Sequence, residues 1–230
     1  IEMNVIEIRG EELFIGAAVP VNRIITNSLV SEHAQALIDS SSLIAGPQVR
    51  NTATLGGNVA HALPAAEATI AMAALDAHVE IANAEGLRRS ALMDMYLGPG
   101  KSAIDKKTEL ISGFYIPKTK PGQASAFKRI MRPQGVALPI LNCAVWVERQ
   151  KDRISDVRIT VGPGGPTPFR ATVAEKSLIG HTLSEETITS ALESLVDQAK
   201  FRTSPLRATQ EYRQHIVVDL FKDTLRQAWK

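Results

Sequence analysis

The sequence predicts an α+β protein in two units, split near residue 121. Three observations carry this. Runs of four to ten apolar and β-branched residues, bounded by Gly and Pro, alternate with helical three-and-four spacing in the first half. The segment Lys118-Thr119-Lys120-Pro121-Gly122 gathers charge and turn residues and reads as a linker. After it come three strand-like runs, then a helical tail.

In order, Val5 to Arg9 and Leu13 to Ala17 read as strands of a hairpin around Gly10-Glu11-Glu12. Val21 to Ile44 carries Ile24, Ile25, Leu29, Val30, Ala34, Leu37 and Ile38 at helical spacing, predicting one helix. A Gly56-Gly57 loop follows. Pro64 opens a short Ala-rich helix over Ala65 to Leu75, since Pro is tolerated in a first turn. Ala77 to Ile81 reads as a strand. Ser90 to Ala103 is irregular, and Leu110 to Ile116 is a strand stopped by Pro117. In the second unit, Ala124 to Ile130, Pro139 to Glu148 and Ile154 to Val161 predict an antiparallel sheet. Helices are expected near Ala171 to Ile179, Ser184 to Ala199 and Pro205 to Gln227, with cap chemistry at Ser184 and a start signal at Ser204-Pro205.

With 44% hydrophobic and 22% charged residues, the chain has an ordinary globular composition. No apolar run approaches the roughly 20 residues that span a bilayer, so no membrane span is expected. A net charge of +2 gives no case for nucleic acid. The stretch from Ala199 to Lys230 holds seven Lys or Arg against three Asp or Glu, which suits a solvated helix face or a partner-docking surface. Cys143 is the only cysteine and sits in an apolar run. That excludes a disulfide framework and an all-cysteine metal site, and it fits a reduced cytoplasmic setting. The histidines His33, His61, His78, His181 and His215 have no metal-ligand spacing. A Gly-x-Ser-x-Gly elbow and a P-loop are both missing. A bound redox cofactor is therefore the remaining source of chemistry.

The run Val49-Arg50-Asn51-Thr52-Ala53-Thr54-Leu55-Gly56-Gly57-Asn58 is the main site signal. Adjacent glycines permit close backbone approach and a nest of N–H groups, while Thr54 and Asn58 add directional hydrogen bonds. This run, continued to Glu67, resembles a flavin-binding segment of the FAD-carrying medium subunits of the molybdenum hydroxylases. The family pattern there is Arg-Asn, two intervening positions, Ile or Leu after a hydroxyl residue, and Gly-Gly-Asn. Glu109-Leu110-Ile111 with Ile116-Pro117, Ala126-Phe127-Lys128 leading to Arg132, and Tyr212-Arg213 extend the resemblance in order along nearly the whole chain.

The resemblance implies a partial FAD-binding domain over 1–121 and a carbon monoxide dehydrogenase flavoprotein C-terminal-like unit over 122–230. It implies that Thr54, Leu55, Gly56, Gly57 and Asn58 wrap FAD, with His61 at a polar ligand-facing position. Glu67 stands where the family usually carries Asp. Leu110 and Lys128 match positions that touch the flavin, and Phe127 is placed to pack near its ring. Pro133 departs from the second Arg that many relatives carry. Family members also hold an earlier Ala-Gly-Gly-Thr-like lobe, and this sequence is expected to begin after it.

The function implied is the flavoprotein subunit of a multi-subunit oxidoreductase. Substrate would be oxidised at a molybdenum cofactor on one partner subunit, and electrons would pass through 2Fe–2S clusters on an iron–sulfur partner to FAD and then to an external acceptor. An assembly subunit that keeps the fold without flavin is the alternative.

Overall fold

The computed structural model describes residues 2–132 and 138–230. Pro133 lies outside them. The hairpin forms as β1 (Ile6–Arg9) and β2 (Glu12–Gly16). The single helix expected over Val21 to Ile44 is instead three short ones: α1 (Val21–Ile25), α2 (Ser28–His33) and α3 (Gln35–Ser42). Two breaks explain this. The Asn27 side chain accepts from the Val30 N–H and so starts a new helix. Ala34, at φ −147° and ψ 53°, leaves the helical region between α2 and α3. Ile24, Val30, Ala34 and Leu37 nevertheless join one core.

Next come α4 (Pro47–Arg50), α5 (Leu55–Ala60) and α6 (Glu67–Ala74). The last begins at Glu67, three residues beyond Pro64. Then β3 (His78–Asn83) pairs with β4 (Gly86–Ala91), a strand whose exposed, arginine-rich sequence hid it from the apolar pattern. A 3₁₀ turn and the small ribbon β5 (Tyr96–Gly98) and β6 (Lys101–Ser102) lead to β7 (Leu110–Pro117). The first sheet is antiparallel, in the order β1-β2-β7-β3-β4.

The second sheet contains β8 (Gln123–Met131), β9 (Pro139–Gln150), β10 (Arg153–Gly162) and the unforeseen short β11 (Phe169–Arg170), in the order β11-β10-β9-β8. Helices α7 (Thr172–Leu178), α8 (Glu185–Gln198) and α9 (Gln210–Trp229) follow. Ser184 and Thr187 cap each other reciprocally. Helix α9 starts at Thr209 rather than Ser204, because the Thr209 hydroxyl accepts from the Tyr212 N–H while Ser204 is held in a bridge to Ala208.

This second sheet is buried on both faces. Ala126, Cys143, Val145 and Val147 pack beneath α7, α8 and α9. Phe127, Ala144 and Trp146 point the other way and join the core of the first unit. All eight residues of α6 are buried, as a helix apolar on every side must be. Its N-terminal end points Glu67 at the seam between the units. Among the described residues, no helix is long and apolar enough to cross a membrane.

Candidate flavin site

A cavity of about 640 Å³ opens on that seam. One wall comes from α5, the loop behind it and the start of α6, with Gly57, Asn58, His61 and Glu67. The opposite wall comes from the second unit, with Arg202, Ser204, Arg207 and Arg213. Between them the lining is apolar, including Ile44, Leu63, Pro99 and Leu138.

The glycine pair is the start of a helix. Thr54 is extended and caps α5, its hydroxyl accepting from the Gly57 N–H at 3.1 Å. Leu55 is fully buried and anchors the turn. The Gly56 N–H donates to the Ala17 carbonyl at 3.1 Å. A Cβ on Gly56 would lie 2.8 Å from that same oxygen, so this glycine is required for helix α5 to approach the end of β2. The expectation of a free nest at these two glycines is thereby corrected: both N–H groups are used inside the chain. Gly57 differs from Gly56 in its surroundings. A Cβ there would meet only the Thr54 Oγ1, at 3.5 Å, and otherwise enter the cavity.

Asn58 accepts from the Thr69 hydroxyl at 3.1 Å, and Thr69 lies 2.6 Å from the Tyr96 hydroxyl. Burial pushes the Tyr96 phenol well above its ordinary range, so it stays protonated within this chain of hydroxyls. With its Oδ1 occupied, Asn58 has its amide NH₂ without a hydrogen bond among the described residues, at the cavity wall.

Glu67 lies in the first turn of α6, a favourable place for a carboxylate, and bonds Arg129 at 2.5 Å. Burial raises its carboxyl above the usual range, opposed by its own backbone N–H and by Arg129. Arg213 is 2% exposed yet has no carboxylate partner among the described residues; one guanidinium nitrogen donates to the Ile140 carbonyl. Burial, reinforced by Arg207 and Arg202, pulls its guanidinium below the ordinary value.

Of the nine residues the sequence singled out, four line the cavity and Thr54, Leu55 and Gly56 position them. Leu110 and Lys128 do not line it. Leu110 is half-exposed at the start of β7, paired with Ala82. Lys128 shares a face with Ala126 and reaches Asp223 of α9 at 3.7 Å. The cation on the cavity side is its neighbour Arg129, since successive strand residues face opposite ways. Phe127 fills the core. Sequence reasoning missed Arg129, Arg202 and Arg207. For Arg129 a signal existed: a buried Phe127 sets the parity that turns residue 129 inward.

The FAD binding domain of molybdopterin dehydrogenases matches residues 1–119, and the carbon monoxide dehydrogenase flavoprotein C-terminal domain matches residues 125–228. The chain belongs to the FAD-binding subunits of the molybdopterin dehydrogenases. Among members of this family, it is 30% identical to the xanthine dehydrogenase FAD-binding subunit of Escherichia coli O157:H7, across 98% of this chain and 79% of the relative. It is 31% identical to the nicotine 6-hydroxylase medium subunit of Paenarthrobacter nicotinovorans, across 95% of this chain and 76% of that one. The fold superposes on a chain of carbon monoxide dehydrogenase from Hydrogenophaga pseudoflava with a TM-score of 0.94 at 26% identity, covering 99% of this chain and 78% of that one.

The residues present fit a flavin of this family. The cavity lies within the 300–1,000 Å³ range usual for small-molecule sites. One wall is open for lack of a side chain, at Gly57, and Asn58 offers an uncommitted donor there.

Proposed function

We propose that this chain holds FAD in the seam cavity and relays electrons from the iron–sulfur clusters of one partner subunit to an external acceptor, the clusters being reduced by a molybdenum cofactor on a second partner. Bound flavin would supply one- and two-electron chemistry. The chain's own residues would bind, orient and shield. Thr54, Leu55 and Gly56 fix α5, the bare backbone of Gly57 would leave room for the flavin, and the Asn58 amide would donate a hydrogen bond to it. His61 adds a polar edge. Glu67, clamped by Arg129, keeps the far end of the cavity rigid and polar.

Leu110 and Lys128 enter this reading only as contacts for parts of the cofactor beyond the cavity. Residues 1–121 and 122–230 are the two units that meet at the site, and a cytoplasmic location suits the single buried thiol.

The observation that carries the reading is Gly57, which faces open space where almost any other residue would place a side chain. Gly57→Val is expected to weaken FAD binding at least tenfold, followed by quenching of flavin fluorescence. Circular dichroism would show the helices of the second unit unchanged. Stoichiometric FAD retained by this variant would overturn the assignment.

A further inference from the structure

Behind the Asn58 wall of the cavity lie two hydroxyls that do not line it. Thr69 of α6 is fully buried, and Tyr96, at the start of β5, is 6% exposed. The Thr69 hydroxyl donates to the Asn58 Oδ1 at 3.1 Å and lies 2.6 Å from the Tyr96 oxygen. A hydroxyl has one hydrogen, so Thr69, having given its own to Asn58, accepts from Tyr96. Burial keeps the phenol protonated, so that hydrogen is present. Turning the Asn58 amide over would reverse the chain. The NH₂ group would then donate to Thr69, Thr69 to Tyr96, and the Tyr96 hydrogen would have no acceptor among the described residues. The first arrangement uses both hydroxyl hydrogens. The second strands one, and a buried donor left unpaired carries its full desolvation penalty.

We infer that Thr69, backed by Tyr96, is a positioning residue that holds Asn58 with its NH₂ group, and not its carbonyl, toward the cavity. This wall is thereby made specific for a hydrogen-bond acceptor. A ligand edge carrying carbonyl or ring-nitrogen lone pairs fits it, and an edge carrying only N–H groups does not. Neither hydroxyl lines the cavity, so both act through Asn58. Successive hydrogen bonds in a low dielectric polarise one another, so Tyr96 strengthens the bond that Thr69 makes. Only the identity of the ligand rests on the flavin reading; the orientation of the amide is a property of the chain alone.

The test uses the whole chain, with FAD as the probe and without ligand. Thr69→Val keeps the shape and loses the hydroxyl, and circular dichroism checks that it folds. It should weaken FAD binding, read by fluorescence quenching, about three- to tenfold, the range of one hydrogen bond. Thr69→Ser restores the hydroxyl and should bind as the native chain does. Tyr96→Phe should have the same sign and a smaller size, since Thr69 keeps its own hydrogen on Asn58. In the Asn58→Ala background, adding Thr69→Val should cost no further affinity, because its effect travels through that amide. Native affinity in Thr69→Val, or an undiminished loss in the Asn58→Ala background, overturns the positioning role while leaving FAD binding in place. The ligand-free native chain gives a second readout by NMR, where the Asn58 side-chain amide protons should exchange with water as an unbonded amide does. Protection of those protons would show the NH₂ turned onto Thr69 and overturns the role whether or not FAD binds. A native chain with an unprotected amide that binds no FAD sinks the flavin reading and sustains the orientation.

Discussion

Arg129 and Arg213 are both buried guanidinia at the cavity's polar end, and the fold treats them in opposite ways. Arg129 meets the Glu67 carboxylate at 2.5 Å and donates to the Met131 sulfur. Among the described residues Arg213 meets one backbone carbonyl, with Arg202 and Arg207 as its charged neighbours. Each leaves its Nε unpartnered among the described residues, so the difference is the carboxylate. A closed ion pair rigidifies the seam. Arg213 is a buried cation without an ion pair among the described residues.

Substitution should separate these roles most sharply in stability. Arg129→Met strands the Glu67 carboxylate in a buried place and is expected to cost about 3–5 kcal/mol in urea unfolding. Arg213→Met removes an uncompensated charge and should change stability by no more than about 1 kcal/mol, in either direction. Equal losses in the two variants would erase the distinction.

A smaller effect is expected with pH. The folded Glu67 carboxyl holds its proton more tightly than in the unfolded chain, so the folded state binds more protons above the ordinary carboxylate pKa of about 4.3. Its contribution to stability is full below that value and declines as pH rises through the raised one. Unfolding measured between about pH 4 and 7 should show this slope, and Glu67→Gln should flatten it. A slope of the opposite sign in the native chain would mean that Arg129 outweighs burial.

The smallest effect concerns Cys143, which is fully buried beneath α9 with its thiol pushed up to about 12 by burial. Alkylation at neutral pH should be negligible in the native chain and should proceed only through opening. Its rate should rise in Arg129→Met and stay unchanged in Arg202→Ser. Faster alkylation in both would show that the arginine wall also holds the second unit closed.

Strand and helix positions in the second unit were legible because the elements are long: β8, β9 and β10 span nine to twelve residues, and α8 carries a capping pair. The first unit was harder to read. Asn27 and Ala34 divide one apolar stripe into three helices, and β4 is held by its pairing with β3 rather than by apolar residues of its own.

The local order Thr54-Leu55-Gly56-Gly57-Asn58 determined that a capping hydroxyl is followed by two residues lacking Cβ, which permits a helix start and close backbone approach there. The folded arrangement alone decided which glycine faces Ala17 and which faces the cavity. It also decided that three arginines about 145 to 156 residues beyond Gly57, Arg202, Arg207 and Arg213, form the far wall. Those outcomes depend on strand register and on the docking of α9, both set by packing across long sequence separations that no local pattern encodes.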